Sequence, residues 1–343
     1  MSFFPNLDKN DKRTVNSKVL IVDGTNTLIR CMATSNQVND LGIPIGGISG
    51  FLMGVGSTIK NIMPTRCIIV FDGKNGSYNR RQIFEGYKAN RDIKVGPRNP
   101  SLYKTKEEEQ ESLLYQIGRL RDYLQYLPMQ LVMIDDIEAD DSIAYLNNDY
   151  FKDSKEIYIM STDRDFFQLI SDKTKIYRPG KNLEIIDKIK LKKEFGLIPE
   201  NFIHFKCFDG DDSDNVGGIK GVGLKTMQNI ISILFEDNKI ELDDMFNYLI
   251  ENEERLKKYK PYQTILDNRE ILERNYKIMQ LHDSLINEKQ KNEIHTILSS
   301  PIPKSSKYKF IHLSTIDGLK MEIKNVTKWL DDVFSNLDCY TNQ

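Results

Sequence analysis

Lys18-Val-Leu-Ile-Val-Asp23 is an unbroken apolar run, rich in β-branched residues, that ends on an aspartate. A continuous run, as opposed to an alternating one, predicts a strand covered on both faces, the signature of a parallel α/β sheet. The pattern recurs at Cys67-Ile-Ile-Val-Phe-Asp72, Met129-Gln-Leu-Val-Met-Ile134 and Ile157-Tyr-Ile-Met-Ser-Thr162, with helical spacing between at roughly 47–63, 107–126 and 138–150. The expected fold class is therefore α/β: a parallel central sheet flanked by helices. In open sheets of this kind ligands gather at the carboxyl ends of the strands. Asp23, Asp72 and Asp163 stand at or just past those ends.

The chain has 343 residues, with 39% hydrophobic and 29% charged, 16 Tyr and 16 Phe, enough for a sizeable core and too apolar for a disordered chain. The longest apolar stretch, around Ile43–Ile62, is broken by Pro44, Ser49, glycines and Lys60, and no basic-then-apolar leader opens the sequence. Cys31, Cys67, Cys207 and Cys339 are far apart, which excludes a zinc ribbon or disulfide scaffold. These features predict a soluble cytoplasmic protein with no membrane contact. The formal charge of −2 argues against a nucleic-acid partner, but charge is local. Between Arg80 and Lys106 eight basic residues (Arg80, Arg81, Lys88, Arg91, Lys94, Arg98, Lys104, Lys106) face only Glu85 and Asp92.

After Pro199 the character changes. Two glycine turns, Gly217-Gly218 and Gly221-Val222-Gly223, precede a helical stretch at Lys225–Phe235, and 240–285 and 311–337 read as helical. The expected organisation is a flexible lead-in at 1–17, an α/β domain at 18–205 containing a basic segment at 78–106, and a helical C-terminal domain at 206–343. Within the lead-in, Phe3, Phe4 and Leu7 form a small apolar group. They read as a frayed terminus, as one packed on the domain, or as a tethered docking peptide.

The acids carry the chemistry. Glu138-Ala-Asp140-Asp141 opens a helix, with Glu138 and Asp141 on one face; Asp163-Arg-Asp165 follows the fourth strand; Asp211-Asp-Ser-Asp214 adds two more. Singly, each reads as a solvated or helix-capping carboxylate. Together with Asp23 and Asp72 they make nine acids at strand ends and first turns, an excess of like charge that cations must offset. Hard oxygen donors select Mg²⁺ or Mn²⁺, and so many imply two ions, the arrangement of two-metal phosphodiester cleavage. With no histidine-based acid or base evident, a metal-activated water would be the nucleophile. Neutralising one acid, as in Asp141→Asn or Asp163→Asn, is expected to relieve repulsion.

The ordered motifs Val22–Asn26, Phe71-Asp72, Tyr87-Lys-Ala-Asn-Arg91, Glu138–Asp141, Ser161–Asp165 and Gly210–Thr226 resemble the FEN (flap endonuclease) 5′-nuclease superfamily over roughly residues 18–340. The last block is similar to that of the 5′-nuclease domain of bacterial DNA polymerase I. Ser77-Tyr-Asn-Arg-Arg81 and the helical tail resemble phage RNase H and phage 5′-exonucleases. The resemblance implies a PIN-like nuclease core, a helical arch at 78–106 and a helix–two-turn–helix element at 210–235 gripping duplex DNA, commonly with a K⁺ ion. It assigns one Mg²⁺ site to Asp23, Asp72, Glu138, Asp140 and Asp141, and a second to Asp163, Asp165, Asp211 and Asp214, with Mn²⁺ able to substitute. Lys88 and Arg91 fall on residues contacting the scissile phosphate. Arg30, Arg80, Arg81, Tyr87, Gly218, Lys220, Gly221, Gly223 and Lys225 fall on nucleic-acid contacts, Tyr87 as a base-stacking ring. Gly217 replaces a common proline, and Asp209 and Asp212 match no ligand and read as solvated.

Gly218–Thr226 is not a P-loop, because Leu224 separates Gly223 from Lys225. Trp329 lies in an apolar helical pattern and reads as core. The function implied is a stand-alone, monomeric Mg²⁺-dependent 5′-to-3′ exonuclease and flap endonuclease. Its substrates would be branched or nicked DNA and RNA–DNA primer hybrids in phage replication, its partners a sliding clamp and a single-strand-binding protein. A structure-specific DNA-binding protein with little catalysis and a PIN-type ribonuclease are the alternatives. The complete acid set disfavours the first, the glycine turns and second acid group the other.

Overall fold

The computed structural model describes residues 14–91, 96–180, 183–319 and 325–341, with the Arg91 side chain excepted. Phe3, Phe4, Leu7, the Arg91 side chain and Lys94 therefore lie outside the described residues. Strands β1 (Lys18–Asp23), β2 (Arg66–Asp72), β3 (Gln130–Ile134), β4 (Glu156–Met160), β5 (Thr174–Arg178) and β6 (Glu184–Ile186) form one sheet in the order β3-β2-β1-β4-β5-β6. The first five are mutually parallel and β6 closes the edge antiparallel to β5. Register places Asp23 opposite Val70, and Asp72 opposite Ile134, so the strand-end acids share one rim. The order reverses between β1 and β4, and a sheet of this kind opens a crevice at the carboxyl ends of those two strands.

Helices α1 (Gly24–Thr34), α2 (Gly46–Ile62), α3 (Tyr78–Ile83), α4 (Lys106–Leu124) and α5 (Ala139–Tyr145) connect the first four strands. Asp23 ends β1 and caps α1, its Oδ1 accepting the Asn26 N–H at 3.0 Å. Thr105 and Glu108 close a capping box on α4, which satisfies two of its free backbone donors. Beyond the sheet come α6 (Lys188–Phe195), α7 (Phe202–Asp209), a two-residue ladder of β7 (Gly210–Asp211) with β8 (Val216–Gly217), and α8 (Leu224–Ile230). The chain finishes with α9 (Leu242–Glu251), α10 (Glu253–Leu256), α11 (Lys260–Asp267), α12 (Arg269–Met279), α13 (Glu288–Ser299), α14 (Lys307–Ile316) and α15 (Val326–Asp338).

Alternate residues of each strand feed opposite layers. Val19, Ile21, Ile68, Val70, Val132 and Ile159 pack with α5 and with residues of α7 to α13, including Phe202, Phe246, Leu272 and Ile294. Leu20, Val22, Ile69, Phe71 and Met160 pack with α2, α4, Phe310 of α14 and Leu330, Val333 and Phe334 of α15. Both layers thus draw on residues from either side of position 205. Trp329, half-buried, packs edge-on against Phe334 at 5.6 Å and lies against the core, close to the expected core position. Among the described residues no helix is long and apolar enough to cross a membrane.

Four features depart from the sequence reading. Strands β5 and β6 were hidden because Lys175, Arg178 and Glu184 interrupt short apolar runs. The fourth strand stops at Met160, since Ser161 turns its hydroxyl toward Asp23. The helix expected at 225–235 breaks at Ile231 into α8 and a 3₁₀ turn at Ser232–Phe235. The C-terminal region is not wholly helical, because the β7–β8 ladder stands between α7 and α8. Gly210 makes that ladder feasible: its φ is 75° and a Cβ there would meet the Gly218 nitrogen at 2.4 Å.

Backbone approach at the sheet rim is equally tight at Gly73, where a Cβ would lie 1.7 Å from the Ile134 carbonyl oxygen. Gly73→Ala is expected to cost more than about 2 kcal/mol. Gly118, exposed within α4 with nothing within 4 Å of its Cβ position, gives the opposite result. Gly118→Ala is expected to gain about 0.5–1 kcal/mol, both values measured by urea unfolding.

Candidate active site

At the carboxyl rim, Asp23, Asp72, Asp140, Asp163 and Asp214 line a cavity of about 200 Å³, together with Arg30, Lys88 and Arg98. A smaller recess of about 10 Å³, the room of one water, lies among Asp140, Asp165, Asp211, Asp214, Arg80 and Tyr87. On the far side of Lys88 a groove of about 480 Å³ runs past Asp72, Glu138, Tyr78 and Arg81. None of the four histidines lines these recesses.

Each acid is placed by a local cause. Asp23 Oδ2 accepts the Ser161 hydroxyl at 2.8 Å, and Asp72 Oδ1 accepts the Ala139 N–H at 2.7 Å, tying β2 to the start of α5. Asp163 Oδ1 accepts the Asp165 N–H at 2.9 Å. Asp211 Oδ1 accepts the N–H and hydroxyl of Ser213 at 2.8 and 2.7 Å, fixing the turn that carries Asp214. Asp209 and Asp212 are exposed, as expected.

The acids are balanced by cations. Burial pushes Asp23 up to about 7, its hydrogen bonds opposing and Asp72 and Asp163 adding to the shift. Burial, with the charges of Asp163 and Asp23, holds Asp140 well above the usual carboxylate range. Asp165 rises to about 7 by burial and the charge of Asp163, with Lys206 opposing. Burial would raise Glu138 also, but the charges of Lys88 and Arg80 prevail and hold it at about 2. Lys206 Nζ lies 2.7 Å from Asp165 Oδ1 and 3.4 Å from Asp211 Oδ2, and Lys88 Nζ pairs with Glu138.

Two expected nucleic-acid contacts are corrected. Arg80 is only 3% exposed; its guanidinium pairs with Asp141, sits 3.1 Å from Glu138 and donates to the Ile278 carbonyl at 2.9 Å. It is a buried counter-charge, not a surface contact. Glu138 and Asp141 do share a helix face, but what they share is Arg80. Tyr87, also 3% exposed, has no free ring face for a base. Its hydroxyl lies 2.9 Å from both Glu138 Oε2 and Asp214 Oδ2, with one proton to give.

The other basic residues are differently placed. Arg30 lines the 200 Å³ cavity and donates to the Pro179 carbonyl at 3.0 Å. Arg81 is exposed on the groove wall. Lys220, Gly221, Gly223 and Lys225 are exposed on the turn entering α8, and Gly218 packs beneath it, the Ile219 N–H reaching the Phe208 carbonyl at 2.8 Å. Lys206, Ser161 and Thr25, whose hydroxyl accepts the Asp72 N–H at 3.0 Å, were not singled out by the sequence reading. Lys206 had a signal as the one lysine in the largely apolar run Phe202–Phe208, and Thr25 and Ser161 had one in lying within the motifs Val22–Asn26 and Ser161–Asp165.

The donors are carboxylate oxygens, which suit a hard divalent cation. Asp165 Oδ1 is buried without an aligned hydrogen-bond donor, and the 10 Å³ recess beside it is lined by four aspartates. Among the described residues no three acids already converge as a coordination shell. Lys88, Arg80 and Lys206 intervene.

Residues 18–196 match the family described as 5′-3′ exonuclease, N-terminal resolvase-like domain. The chain is 31% identical to a 5′-3′ exonuclease of Bacillus subtilis over 224 residues, 63% of this chain and 70% of that one. It is 28% identical to a 5′-3′ exonuclease of Aquifex aeolicus over 92% of this chain and 95% of that protein. In fold it is similar to a flap endonuclease of bacteriophage T5 solved with DNA and metal ions, at a TM-score of 0.59 and 21% identity, covering 87% of this chain and 98% of that one.

The paired charges set opposite signs for two substitutions in metal-free protein. Asp23 binds its proton more tightly folded than unfolded, so it disfavours folding increasingly as pH climbs from about 4 to about 7. Relative to the parent in chelator, Asp23→Asn should gain on the order of 1–3 kcal/mol across that window. Taking the difference from the parent cancels His204 and His282, whose pKa values burial lowers and which titrate in the opposite sense. Asp141→Asn, expected from sequence to relieve repulsion, should instead lose about 1–3 kcal/mol at neutral pH, because it strips a partner from buried Arg80. Denaturant unfolding from pH 4 to 8 reads both.

Proposed function

Because the chain belongs to the 5′-3′ exonuclease family and is a nuclease, we propose that it is a divalent-metal-dependent 5′-to-3′ exonuclease and flap endonuclease acting on branched or nicked DNA and on RNA–DNA primer hybrids. The observation that carries this reading is the acid rim at the switch point of the sheet, with Lys88 reaching into it from the basic segment. Asp23, Asp72, Glu138 and Asp140 would hold one Mg²⁺ or Mn²⁺, and Asp163, Asp165, Asp211 and Asp214 a second. Asp141, expected as a further ligand of the first ion, is paired with buried Arg80 instead and would act through it. When bound, the ions supply the polarisation that makes water nucleophilic and offsets charge on the leaving oxygen.

The remaining steps belong to the chain's own residues. Lys88 brings its ammonium to the shared wall of the cavity and the groove, where a phosphate would be held between the acids and the basic segment. Arg30 and Arg98 add charge on the cavity side, and Arg81 on the groove side. The exposed turn with Lys220 and Lys225 would hold duplex backbone without reading sequence, with K⁺ as an additional ion there. We place the activity in primer removal during phage DNA replication, with a sliding clamp and a single-strand-binding protein as partners. The likeness of Ser77–Arg81 and the helical tail to phage nucleases supports that setting.

Digestion of end-labelled flap, nick and primer hybrids with and without Mg²⁺ tests the reading; no Mg²⁺-dependent cleavage of any of them would sink it. Lys88→Ala is expected to cut the single-turnover rate at least about 100-fold while duplex affinity changes less than about 3-fold. Lys220→Ala and Lys225→Ala should instead weaken binding and each lower the slope of log K against log salt by about 1, read by titration between low and moderate salt.

A further inference from the structure

Lys88 stands at φ 59°, a left-handed conformation that costs a non-glycine residue about 1 kcal/mol or more. Something must hold it there. Its backbone N–H donates to the Asp214 carbonyl at 2.8 Å, so the short hairpin carrying Asp211 and Asp214 grips the main chain at this lysine. Two asparagines flank that contact. Asn215, itself at φ 60° on the hairpin, donates its Nδ2 to the Gly86 carbonyl at 2.8 Å. Asn90 reaches back from the other side, donating its Nδ2 to the Asp212 carbonyl at 2.6 Å. Segment 86–90 is thereby fastened to hairpin 211–215 by reciprocal side-chain-to-backbone bonds, with Lys88 between them.

The hairpin has no slack. It emerges from α7 at Gly210 and returns at Gly218, where a Cβ would meet the Phe208 carbonyl oxygen at 2.3 Å, and the chain runs directly into the exposed turn before α8.

We propose that Asn90 and Asn215 are positioning residues: together they latch the basic segment onto the acidic hairpin, so that the hairpin sets where Lys88 stands during cleavage. The proposal rests on the nuclease reading above. Neither asparagine needs to touch substrate. What they supply is the orientation of a lysine that would otherwise relax from a strained backbone into the common right-handed or extended range.

Two variants test it with little other disturbance. Asn215→Gly keeps the positive φ and removes only the side-chain bond; Asn90→Ala removes the reciprocal one. In single-turnover cleavage of an end-labelled flap DNA with Mg²⁺, each is expected to lower the rate about 10-fold with duplex affinity and melting temperature unchanged. In a Lys88→Ala background neither should lower the rate further, because the latch acts through that lysine. Rate losses that persist undiminished in the Lys88→Ala background overturn the proposal, since they would mark a general structural role. A parent protein that cleaves while both variants match its rate overturns the latch alone; a parent that does not cleave overturns the nuclease reading and the latch with it.

Discussion

Mutual repulsion among carboxylates crowded at one rim of a sheet is the constraint around which this molecule is built. Unlike charges on a surface, these acids stand in partly buried positions where screening by water is weak, so burial and the neighbouring charge of Asp163 together raise the proton affinity of Asp23, Asp140 and Asp165. The structure answers with cations drawn from distant parts of the chain. Arg80 neutralises Glu138 and Asp141, Lys88 reaches Glu138 and Asp214, and Lys206 stands between Asp165 and Asp211. Losing one partner of a buried pair leaves the other charge uncompensated, so arrangement and stability are coupled here.

Topology explains why the acids meet at all. In a sheet ordered β3-β2-β1-β4-β5, the loops after β1 and β4 leave toward opposite faces and open a crevice between them. Asp23 and Asp163 occupy that crevice from either side, joined through the Ser161 hydroxyl, and Asp72 arrives from the neighbouring strand. Asp211 and Asp214 come from a hairpin between two helices that pack on one face of the same sheet. The site is therefore made where two parts of the fold abut, with the basic segment seated across the join.

The first four strands and the main helices of the first half were legible in the chain, and so were the acids at the strand ends, because each depends on local pattern: unbroken apolar runs, 3.6-residue spacing, acids at run ends. What was not legible was the state of individual charges. Arg80 and Arg81 are adjacent and identical in type, yet one is buried against Asp141 and the other is exposed beside a groove. Helical phase makes that difference, and a six-residue helix is too short for its phase to be read from sequence. Tyr87 has a similar history: its place in a basic segment suggested a stacking ring, and burial turned it into a hydrogen-bond donor between two acids.

By itself, then, the sequence determined a parallel α/β sheet whose strand ends carry carboxylates, because apolar periodicity and strand-end residues are properties of neighbouring positions. Only the tertiary structure decided which cation answers which acid and which basic residues stay exposed. The Arg80–Asp141 pairing joins residues 61 apart in the chain, and the Tyr87–Asp214 hydrogen bond residues 127 apart. No local pattern encodes a contact across such a separation; it exists only because packing on the two faces of the sheet brings the basic segment, the start of α5 and the β7–β8 hairpin to the same point.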